Sequence, residues 1–161
     1  MSSLSYEFIE NTSLPFNKEI IDHCLKFNIP RGTTIVDPTT KSITAWIKCG
    51  PNVTVNEART QSWTAMALRE AGISHVQPAP VFRAFTADYY GLTIGYIAMQ
   101  YFDGIERDTN DVDLVAKAFE VLISLRAPPT ATLGHIGGGT ISIVNVFFPG
   151  WLPNANYYHS V

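Results

Sequence analysis

Three consecutive pieces, ITAWIKCG (43–50), PNVT (51–54) and VNEARTQSWTAMALREAG (55–72), decide how this chain folds. The first alternates, placing Ile43, Ala45 and Ile47 on one face of an extended strand and Thr44, Trp46 and Lys48 on the other. A lysine therefore ends a strand beside an indole. The last piece starts as a helix, because Thr54 followed by Glu57 matches a capping box, in which the glutamate reaches back to the backbone of Thr54; Gly72 matches the residue just past a helix C-terminus. A basic strand end faces an acidic first helical turn.

Working outward, Met1 to Pro15 has no sustained period and reads as an arm. Phe16 to Phe27 reads as a helix with Phe16, Ile20, Cys24 and Phe27 on one face, stopped by Asn28-Ile29-Pro30-Arg31-Gly32. Thr33 to Val36 is a short strand, and Asp37-Pro38-Thr39-Thr40 is a turn that makes a hairpin with the central strand. Beyond the helix, Val81 to Thr86 and Thr93 to Tyr101 read as strands joined through Ala87 to Leu92, where Asp88 and Gly91 supply turn chemistry. A sheet of four or five strands is expected. Asp108 to Asn110 can cap a further helix, Asp111 to Leu125, whose Val112, Val115, Phe119, Leu122 and Leu125 form one apolar stripe. Pro128-Pro129 ends it. The remainder, through GHIGGG (134–139) and FFPGW (147–151), is rich in glycine, proline and aromatic residues.

Three motifs in order carry a resemblance. The Lys48 strand with its Glu57 helix, ISHVQPAPVFRAF (73–85) and GYIAMQYFDG (95–104) are similar to the strand lysine and helix glutamate, the I-P-V-P-x-V-x-x-x-F strand entry and the G-Y-I-V-M-E-Y-I-D-G hinge of the aminoglycoside phosphotransferase and choline kinase-like family. The resemblance covers about Gly32 to Arg126. It implies an α+β, protein-kinase-like N-terminal lobe: a small antiparallel sheet with packed helices, then a linker helix and an irregular C-terminal tail. Residues 1–31 would be the arm and first helix, 32–104 the lobe and hinge, and 105–161 the linker helix and tail, in a single domain.

In such a lobe Lys48 holds nucleotide phosphates, Glu57 orients it, Trp46 lies over the adenine, and Met99, Gln100 and Phe102 belong to the hinge whose backbone meets the base edge. The implied ligand is ATP, bound weakly. Each residue also has a plainer reading: Lys48 as a solvated strand end, Glu57 as half of the capping box, and Trp46 as a cover on the sheet. In the wider kinase-like family a hairpin here covers the phosphates with a G-x-G-x-x-G run; this one carries only Gly32, and aminoglycoside-phosphotransferase-like members often lack those glycines too.

Downstream of the hinge the chain departs from the family. Phosphoryl transfer there needs H-x-D-x-x-x-x-N and a further metal-binding Asp, but none of His23, His75, His135 and His159 has an Asp two residues on. No catalytic residue and no metal ligand can be assigned. The family's second lobe is expected to be absent, and without it magnesium is not expected. The Gly137-Gly138-Gly139 run reads as a loop, and no G-x-S-x-G accompanies it.

Composition bounds these readings. At 161 residues, with 46% hydrophobic and 16% charged, the chain is long enough for one cored domain. A net charge of -3 with scattered Lys and Arg argues against a nucleic-acid partner. The first residues have neither a positive start nor an apolar core, and no apolar run is long enough to span a bilayer, so a cytoplasmic protein is expected. Cys24 and Cys49 are expected reduced and buried. The expectation for function is a truncated or degenerate small-molecule-kinase-like protein that binds nucleotide weakly and does not transfer phosphoryl groups by itself. The alternatives are a pseudokinase-like interaction module, forming homo-oligomers or binding a protein through the stripe of the last helix, and a fragment of a longer ATP-dependent phosphotransferase.

Overall fold

The computed structural model describes residues 8–27, 32–104 and 111–126, together with the backbone at 141–142 and 157–158. Its elements run α1 (Asn17–Lys26), β1 (Gly32–Val36), β2 (Ile43–Gly50), α2 (Val55–Glu70), β3 (Val81–Tyr89), β4 (Leu92–Met99) and α3 (Val112–Ser124). Two short strands, β5 (Ile141–Ser142) and β6 (Tyr157–Tyr158), pair antiparallel, so the stretch expected to be irregular holds at least one ladder. The main sheet has the order β1-β2-β4-β3 with every neighbour antiparallel. β2 and β4 meet only because α2 carries the chain over the sheet and the β3–β4 hairpin then folds back against β2. This is an α+β architecture, and no helix among the described residues is long and apolar enough to cross a membrane.

The alternation read from β2 sorts the core into two layers. Ala45, Ile47 and Cys49 are buried with Ile94, Tyr96 and Ala98 of β4 and with Ile20 and Cys24 of α1. Ile97 of β4, Val81, Val53 and Ala58 of α2 form the second layer, with Met99 packed beside it. Trp46 and Lys48 therefore stand on the α2 side. Both cysteines are buried thiols; they hydrogen-bond to each other, and that contact together with burial pushes the Cys24 thiol above its usual range.

Several expectations need correction. Phe16 and Phe27 do not share the buried face of α1: they are 80% and 58% exposed, and Leu14 enters the core instead. The two aromatics cap the helix at either end, where the backbone leaves helical geometry and the three-four spacing no longer aims a side chain. The arm is also less free than expected, since the Ile9 amide donates to the Val81 carbonyl at 2.9 Å along the outer edge of β3. Ile43, on the same face of β2 as Ala45 and Ile47, is 41% exposed at the strand's end.

The β3–β4 connection is much tighter than Ala87 to Leu92. Strand pairing continues to Tyr89 and Leu92, leaving only Tyr90 and Gly91, with φ of 48° and 81°, as a two-residue turn. α2 ends as its sequence predicts: Gly72, at φ 70°, donates to Arg69 while Ile73 donates to Leu68, closing a Schellman motif. α3 begins at Val112 after Asp111, whose side chain makes no cap bond, and it stops one residue short of Leu125. Asp108, Asn110, Pro128-Pro129 and the Gly137 to Gly139 run lie outside the described residues.

Candidate functional site

Lys48 is placed by strand alternation and by its partners in the ladder, Gly32 on β1 and Ile97 on β4. The chain then turns sharply at Gly50, with the Val53 amide donating to the Gly50 carbonyl at 3.2 Å, and this brings the start of α2 back over β2. Thr54 caps that helix, its hydroxyl accepting the Glu57 amide at 3.1 Å. Only this half of the expected capping box is formed. The Glu57 carboxylate is turned instead to Lys48, and the two form an ion pair with side chains 43% and 32% exposed. At that exposure the pair contributes only about 0.2 to 1 kcal/mol to stability. Its consequence is geometric, because it holds an ammonium group at a defined place above the sheet.

Trp46 is two residues before Lys48 on the same face, half-buried, and paired in register with Met99 of β4 and Thr34 of β1. Its indole lies across the backbone of Gly32, where a Cβ would sit 2.1 Å from the ring carbon Cζ2. The glycine at the start of β1 thus provides the seat for the indole. Trp46, Lys48, Glu57 and Met99 together outline one open surface on the α2 side of the sheet.

Past β4, the Gln100 amide donates to the Pro80 carbonyl at 2.9 Å, so that backbone donor is already engaged. Phe102 is 51% exposed. Of the expected hinge residues, Met99 joins the surface around Lys48; Gln100 and Phe102 line a groove on the outer side of the strand ends with Leu68, Arg69, Ile73 and Pro80.

Sequence reasoning passed over Gln61. It lies one turn beyond Glu57 on α2, and its Nε2 donates to the Ala79 carbonyl at 2.5 Å with the Met99 sulfur 3.8 Å away. The available signal was its i, i+4 spacing from Glu57, but its contacts depend on how α2 lies across β4. Among the described residues no group of three or more His, Cys, Asp or Glu side chains is placed to hold a metal ion.

No family model matches the chain, and neither a curated protein nor a solved structure matches it.

Proposed function

We propose that the chain carries the nucleotide-binding half of an aminoglycoside-phosphotransferase-like protein and binds ATP weakly, Lys48 meeting the phosphates and Trp46 the base. The observation that carries this reading is the ion pair between Lys48 and Glu57, formed across β2 and α2 on the same sheet face as Trp46 and Met99. A fixed ammonium group supplies charge-assisted hydrogen bonds to a polyphosphate, and an indole seated over Gly32 of β1 offers an aromatic surface to a planar base. The surface is open on its outer side, so affinity is expected on the order of 0.1 to 1 mM, or about 4 to 5.5 kcal/mol. With no His-x-Asp segment in the chain to supply the base and the metal ligands, ATP turnover against small amines and alcohols is expected to stay at background.

Equilibrium dialysis against ATP tests the binding. Lys48→Ala should weaken it about tenfold or more, as expected for removing a hydrogen bond to a charged group, and Glu57→Gln should weaken it less. Equal retention of ATP by wild type and Lys48→Ala would refute the reading.

One observation favours a second role. No residue of α3 is buried; Val112, Val115 and Phe119 are exposed along with Leu114 and Ile123, while Leu122 and Leu125 are half-buried. An apolar helix face of this kind is the usual mark of an association surface, and self-association through it is compatible with nucleotide binding on the sheet.

A further inference from the structure

Glu57 and Gln61 leave α2 on one face, four residues apart, but they reach different parts of the sheet. Glu57 meets Lys48 on β2. Gln61 reaches β4 and the entry to β3, where its carboxamide approaches the Met99 sulfur and binds the Ala79 carbonyl. Ala79 lies between Pro78 and Pro80, and the next carbonyl, that of Pro80, accepts the Gln100 amide at 2.9 Å. Prolines donate no backbone hydrogen bond, so this segment is tied down largely through its carbonyls. One of them is held by α2 and the other by the residue after Met99. Met99 itself is flanked by Trp46 and Val81 in the ladder. Its unbranched thioether adapts to whatever its surroundings allow, and the Gln61 carboxamide stands 3.8 Å from its sulfur.

We propose that Gln61 is a positioning residue that sets the Met99–Gln100 edge of the site relative to Lys48, and so fixes where a planar base sits against Trp46. The part concerning a base rests on the nucleotide reading above; the part concerning Met99 does not. Gln61→Leu removes the donor at similar reach, and Gln61→Glu keeps the shape while presenting an acceptor to the Ala79 carbonyl. Both should move the Met99 methyl resonance of protein labelled with methyl-13C methionine, assigned by its disappearance in Met99→Leu. Glu57→Gln, which frees Lys48 instead, should leave that resonance in place.

For ligand, both Gln61 variants should bind adenosine about three- to tenfold more weakly, the range for losing one neutral hydrogen bond, with tripolyphosphate binding unchanged. An unmoved Met99 methyl in folded Gln61→Leu and Gln61→Glu would overturn the proposal. So would loss of the cooperative thermal transition in both variants, which would make Gln61 a general packing residue. If wild type binds neither ATP nor adenosine, the nucleotide reading falls, and the Met99 methyl shift still decides whether Gln61 positions that edge.

Discussion

Two glutamates occupy the third position of their helices and do different things. Glu19 of α1 reaches back to accept the amide of Phe16 at 2.8 Å, closing the helix start. Glu57 of α2 gives its own amide to the Thr54 hydroxyl but does not reach back, and its carboxylate turns to Lys48. The difference lies in what stands opposite: β2 presents a lysine to α2, and a charge-assisted contact outweighs a bond to a backbone amide that water can satisfy. Gly95 shows the opposite case, a residue fixed by space alone. A Cβ there would fall 1.8 Å from the Val53 carbonyl oxygen, since the turn before α2 packs directly on β4. Gly95→Ala is expected to cost at least about 2 to 3 kcal/mol, read as a lower urea midpoint at constant slope, whereas Gly104→Ala, with nothing within 4 Å, should be near neutral. Asp37 offers a pH test. Its carboxylate accepts the amides of Thr40 and Thr39, which hold its pKa below the usual carboxylate range. A group depressed in the folded state stabilises it above the unfolded pKa, and that contribution is lost as pH falls through the folded value. NMR titration should find the Asp37 carboxyl protonating at lower pH than a free aspartate, and Asp37→Asn should remove that part of the acid sensitivity of the β1–β2 turn.

At the scale of elements, β2, α2 and the antiparallel sheet were legible because each rests on a local signal: strict alternation, a capping threonine, a glycine with positive φ. The ends of elements were less so. Tyr90 at φ 48° is not a residue that announces a turn, so the β3–β4 loop looked longer than the two residues it uses. Phe16 and Phe27 fit a helical face by count, yet they stand where the helix has already stopped. The pairing of Lys48 with Glu57 could be anticipated from a strand, a short turn and a helix. The seat of Trp46 on Gly32 and the reach of Gln61 to Met99 could not, because both are contacts across strands or layers that sequence spacing does not encode. α3 carries its own prediction. If its stripe is an association surface, light scattering across a concentration series will show a rising mass, and Phe119→Glu, at a position 61% exposed, will abolish the rise without unfolding the protein. A wild type that stays monomeric would remove the association reading.

Considered whole, the molecule separates support from site. The layer that joins α1 to the sheet is largely apolar, with Ile20, Ala45, Ile47 and Tyr96 buried around the two cysteine thiols. The α2 side is only partly closed, and it is there that an ammonium, a carboxylate, an indole and a thioether stand together above four strands. Binding of a nucleoside triphosphate to this surface is tested most directly by the fluorescence of Trp46 alone, in protein carrying Trp63→Phe and Trp151→Phe, while ATP is added to several millimolar. A saturable change with a midpoint on the order of 0.1 to 1 mM, shifted about tenfold or more upward by Lys48→Ala, is the predicted result. A flat trace throughout, or the same curve for Lys48→Ala, would contradict it.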